Sequence, residues 1–174
     1  MTEVFGVSAV AVREARAELV ALKEELDLSL TSVEPLKGET LVPGPLDANN
    51  LLRRAAWAGA EYSLQLLLEA SAETDTGDQN CNDALHGAAW KGHVNCLRLL
   101  LGAGADVDKA WVNGWTPLHI AAMHGYRECA QLLLEAGADA FARNIYGQTP
   151  LDIAESHSKV TAALLRQHAA SRAP

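Results

Sequence analysis

Histidine, cysteine and carboxylate side chains carry most acid–base, nucleophilic and metal chemistry. This chain holds six histidines and three cysteines. Cys81, Cys96 and Cys129 include no C-x2-C pair, the spacing that lets two thiolates reach one zinc ion. An odd number of cysteines gives no disulfide framework either. His124, His157 and His168 have no nucleophile or carboxylate at a motif spacing that would make any of them a general base. Gly102, Ala103 and Gly104 are not followed by Gly-Lys-Ser/Thr, so the stretch is a helix stop and not a phosphate cradle. Asp106 and Asp108 lack the oxygen-ligand density of a calcium loop. The expectation is no catalytic residue, no metal and no cofactor. The chain also holds four tryptophans although it is only 5% aromatic.

The elements that place these residues recur. His86 and His119 are 33 residues apart, and so are Cys96 and Cys129. Leu52, Leu85, Leu118 and Leu151 keep the same interval, as do Ala55, Ala88, Ala121 and Ala154. Gly59, Gly92 and Gly125 follow, with leucine triplets at 66–68, 99–101 and 132–134. A period of this length means stacked supersecondary units. Thr116 is an N-cap candidate with Pro117 at the first helical position, where its missing N–H costs nothing. Leu118, Ala121 and Ala122 follow on one helical face, and Gly125 ends the helix. A second helix has Cys129, Leu132 and Leu133 as its expected apolar stripe, with Gly137 as its stop. The composition agrees: 31 Ala and 26 Leu against 14 Val and Ile favour helix over strand.

Thr116-Pro117-Leu118-His119 with Ala121-Ala122, then Leu132-Leu133-Leu134 before Gly137-Ala138-Asp139, resembles the ankyrin repeat family. The resemblance covers residues 47–172 as repeats of about 47–80, 81–113, 114–146 and 147–172. It implies an all-α solenoid of stacked helix-turn-helix units with short projecting turns. It also implies that His86 and His119 hydrogen-bond the turns between repeats. Residues 1–46 lie outside the register. Within them Arg13 to Leu30 reads as an amphipathic helix, with Ala15, Leu19, Leu22 and Leu26 on one side, before a connection holding Pro35, Pro43 and Pro45. This extension is expected to cap the repeats, or to bind or self-associate separately. Its leucines also resemble a nuclear export signal.

The net charge is −8, with no Lys/Arg cluster, which argues against nucleic acid and anionic membranes. No run of 18 apolar residues exists to span a bilayer. Met1 to Gly6 carries no basic start to a secretory signal, so cytoplasm or nucleus is expected. The family resemblance implies a non-catalytic protein–protein interaction module, an adaptor or scaffold. An inhibitor that blocks a partner enzyme such as a kinase is the alternative, and a shuttling adaptor a further one. Transferring the family's variable positions gives Trp57, Trp90, Lys91, Met123 and His124 after the Ala-Ala pairs. The turns add Trp111, Trp115, Ile145 and Tyr146. Trp111 stands where Asp is usual and Asn144 is its equivalent, so a reshaped turn is expected there. The acidic balance suggests a partner protein with basic surface, and a monomer is expected unless the first helix self-associates.

Overall fold

A computed structural model describes residues 48–70, 72–75 and 83–171. The segment 1–46, with its expected helix, and Cys81 lie outside the described residues. Eight helices follow one another: α1 (Ala48–Ala58), α2 (Glu61–Glu69), α3 (Ala84–Lys91), α4 (Val94–Gly102), α5 (Pro117–His124), α6 (Arg127–Glu135), α7 (Pro150–His157) and α8 (Lys159–Ser171). No strand occurs among the described residues. Each odd-numbered helix packs on the even one after it. The odd helices stack as one layer, α1 on α3 on α5 on α7, and the even helices as a second.

Local chemistry sets the helix limits. Thr116 and Thr149 each form a capping box with the third helical residue, and Pro117 and Pro150 start the helices they cap. In the repeat before, Asp83 takes the cap position and accepts the His86 backbone N–H at 3.0 Å. Gly125 ends α5 at φ 74°, in the left-handed region. A side chain there would be strained and would also meet Ser158 Cβ at 3.0 Å.

Small residues let the odd helices approach closely. Ala55, Ala56, Ala88, Ala89, Ala121 and Ala122 are fully buried. The even helices supply the larger volume through Leu64, Leu97, Leu100, Leu133 and Leu165. In α6 the buried set is Cys129, Ala130, Leu133 and Leu134. Leu132 is only half-buried, so the expected stripe is rotated. The reason is that α6 is gripped between α4 and α8, which widens its buried arc beyond a single stripe.

Polar links also cross the stack. Both His86 Nε2 and His119 Nε2 face a carbonyl 29 residues on, that of Trp115 at 3.3 Å and of Gln148 at 3.1 Å. Asp75 accepts the Asp106 N–H at 3.0 Å, and Asp108 accepts the Asp139 N–H at 2.8 Å. Ile145 N–H donates to Asn113 O at 3.1 Å, tying one turn tip to the next.

Candidate functional site

The last turns of the odd helices carry the candidate site. Ala-Ala pairs point inward, which turns the next two residues toward the helix end and outward. Trp57 of α1 and Trp90 of α3 stack across the repeat boundary, with ring centroids 6.4 Å apart and an 18° interplanar angle. Trp111 reaches the same group from its turn, 5.7 Å from Trp90 and 5.3 Å from His86, nearly parallel to the imidazole at 19°. Lys91 holds its ammonium 4.7 Å from the Trp57 ring centroid, a cation–π contact. His124 meets Trp90 edge-on at 4.7 Å and stacks on Tyr126 at 5.5 Å. Five of the nine candidate residues are thus one contiguous group: Trp57, Trp90, Lys91, Trp111 and His124. The three tryptophans are half-buried, whereas Lys91 and His124 are exposed.

The other four candidates lie elsewhere. Met123 is half-buried against the core. Trp115 packs on His119, 5.9 Å between centroids. Ile145 and Tyr146 project from the turn tip, 65% and 71% exposed. Val112, one repeat before Ile145, is equally exposed at 70%. Tyr126 was missed as a member of the aromatic group. Its signal was available: Tyr126 follows Gly125 as His93 follows Gly92. Each of these rings covers the turn glycine of the preceding repeat, and a Cβ at Gly92 would meet the Tyr126 ring at 3.1 Å.

The reshaping expected of the turn at Trp111 does not reach its backbone hydrogen bonds. Trp111 N–H donates to Trp115 O at 2.9 Å, and Gly114 N–H to Trp111 O at 2.8 Å. Asn144, Gln148 and Gly147 make the same two bonds at 3.1 and 2.9 Å. What differs is the side-chain brace. Asn144 Oδ1 accepts the N–H groups of Tyr146 and Gln148, at 2.9 and 3.0 Å. Trp111 has no such acceptor, and Asn113 Oδ1 receives the Trp115 N–H at a longer 3.3 Å. Freed from the turn, the indole lies against the helices. Its Nε1–H is buried with no partner among the described residues.

The two buried histidines differ in their hydrogen-bonding needs. His119 Nδ1 receives the Thr116 backbone N–H at 3.2 Å, so its donor is Nε2–H. His86 Nδ1 faces Asp83 Oδ1 at 2.8 Å, and its Nε2 faces a carbonyl. At Nδ1, then, His119 meets a backbone donor whereas His86 meets a carboxylate oxygen. Asp83 Oδ2 is buried without a partner among the described residues.

Against that geometry, a family model described as ankyrin repeats, in three copies, matches residues 52–144 and 85–172. The chain belongs to the ankyrin repeat family. A comparison with curated proteins returned no match. Ankyrin repeats generally bind other proteins and are typically non-catalytic. The ankyrin histidines here are placed as the resemblance implied, bridging from His86 and His119 to the next turn. The ankyrin core also explains the thiols. Cys96 and Cys129 are buried on α4 and α6, and burial, then Glu61 and Glu128 respectively, pushes each thiol up to about 11. A neutral buried thiol is a small hydrophobe, not a nucleophile. Among the described residues no group of three His, Cys, Asp or Glu is arranged to hold a metal ion. No described helix is long and apolar enough to cross a membrane.

Proposed function

We propose that this ankyrin array is a non-catalytic recognition module that binds a partner protein across the concave face of its odd-numbered helices and the neighbouring turns. The observation that carries the proposal is the contiguous Trp57–Trp90–Trp111 group, half-buried and open on one side, with Met123 nearby in the helix register. Rigid aromatic surface costs little conformational entropy on binding and dominates interface energetics. Exposed Val112, Ile145 and Tyr146 on the turn tips extend the apolar surface. The module acts as an adaptor or scaffold and is a monomer unless its first helix self-associates, in cytoplasm or nucleus; imaging of a fluorescent fusion tests the location, and an exclusively secreted or membrane-bound signal would refute it.

Steric blockade of a partner enzyme would use the same surface. Ankyrin inhibitors of cell-cycle kinases commonly have a shortened helix in the second repeat. Here α3 has eight residues, the same as α5 and α7, which counts against that reading. The test is affinity capture from lysate with wild type beside a Trp57→Ala/Trp90→Ala variant of matched helicity. Partners lost with the two rings support the surface. Equal recovery by both proteins rejects it.

A further inference from the structure

We propose that the segment recognised at this surface is acidic: its carboxylates lie along a row formed by Lys91, His124 and His157, while its apolar side chains lie on Trp57, Trp90 and Met123. The inference rests on the recognition surface proposed above and adds the chemistry of the partner.

Lys91, His124 and His157 occupy one register position, 33 residues apart, at the last residue of α3, α5 and α7. All three are exposed. In α1 the same position is Ala58, so no carboxylate enters the row from there. The row runs beside the aromatic group and interlocks with it: Lys91 lies over Trp57, and His124 against Trp90.

The charges on His124 come from both flanking helices, and both repel its proton. Its pKa is lowered from 6.5, first by the rings of its surroundings stripping water from it, then by His157 of α7 and Lys91 of α3. Tyr126 stacks on it from the other side. A row of one ammonium and two imidazoles is complementary to an anion, which would offset the Lys91 charge beside His124 and favour its imidazolium.

Several acidic groups among the described residues lie in other places. Asp75, Asp106, Asp108 and Asp139 sit in the loops after the even helices, where each accepts a backbone N–H. Glu155 of α7 is paired with Arg166 at 2.7 Å, and Asp152 closes the α7 capping box. The net charge of −8 that suggested a basic partner is a sum over the whole chain, including residues outside those described. It does weigh against a polynucleotide, whose continuous charge would meet the whole acidic molecule.

The test is selection of a random peptide library displayed on phage against the full chain, followed by binding of the most enriched peptide, made synthetically, to wild type and variants. Enrichment of Asp and Glu interspersed with apolar residues is expected. Lys91→Glu, on an exposed side chain, should weaken the peptide about tenfold or more, and changing the peptide's acids to amides should do the same. Binding should be several-fold tighter at about pH 6 than at about pH 8, and His124→Gln should flatten that dependence. Enrichment of basic or uncharged peptides would overturn the proposal, as would equal binding by Lys91→Glu. If such peptides still depend on Trp57 and Trp90, the recognition surface itself stands. If no peptide depends on either set, both readings fall. Preferential binding of oligothymidine lost in Lys91→Glu would replace the peptide with nucleic acid.

Discussion

Replacing Trp111 by Asn asks whether that position serves its turn or the aromatic group. Asn would restore the brace seen at Asn144, accepting two backbone N–H groups. At about 1 kcal/mol each, that is a gain of about 2 kcal/mol. It would also remove the buried, unpartnered Nε1–H, worth about 1 kcal/mol. Against this stand the ring contacts with His86 and Trp90, at 5.3 and 5.7 Å, worth about 2 kcal/mol together. Half-burial of the indole removes about 100 Å² from water, about 2.5 kcal/mol. The loss exceeds the gain by about 1 to 2 kcal/mol. Urea unfolding followed by far-UV circular dichroism should therefore show a lower midpoint at an unchanged slope. Trp111→Phe keeps a ring on His86 and removes the unpartnered donor, so it should fall within about 1 kcal/mol of wild type. An Asn variant at or above wild-type stability would refute the reasoning, because the turn would then outweigh the stacking.

Gly125→Ala should cost about 1 to 2 kcal/mol, from the left-handed φ and the close approach of Ser158; a thermal midpoint equal to wild type would count against the cap geometry. Leu100→Ala, at a fully buried site, should cost about 2 to 5 kcal/mol in chemical denaturation. Burial lowers the His119 pKa below 6.5. The unfolded chain then takes up a proton that the folded one refuses, so stability is intact above pH 6.5 and falls as the pH drops below it. The slope from this residue is at most about 1.4 kcal/mol per pH unit. His119→Leu should be less stable yet show a shallower dependence over that window, and an unchanged slope would sink the assignment. Cys96 and Cys129 should react with a thiol reagent only after unfolding, as mass mapping of the modified sites would show.

The fold was legible because its signals are short-range. Thr116 with Pro117, Gly125, and the paired alanines each act within one turn of the chain, and their recurrence every 33 residues multiplies the signal. The Trp57–Trp90 contact was legible for the same reason, since equal register places side chains one above the other. Trp111 was not legible in full. Its departure from the turn pattern could be read, but its direction is decided by His86 and Trp90, neither of which is near it in the chain. Tyr126 carried a readable interval that pointed to packing on glycine, not to His124. Net charge sums over position, so it says nothing of the register that lines up Lys91, His124 and His157. The 1–46 segment lies outside the described residues.

The aromatic contacts cross repeat boundaries, and that has a consequence for hydrogen exchange. A linear stack touches only its neighbours, so its low-energy openings are partings between adjacent repeats. Trp57 against Trp90 bridges the α1–α3 boundary, and Trp90 against His124 bridges α3–α5. A segment laid across these rings would grip both sides of each seam at once. Occupancy would then slow amide exchange in α1, α3 and α5, including amides that the ligand never touches. The protein would report its partner through the closing of its own joints.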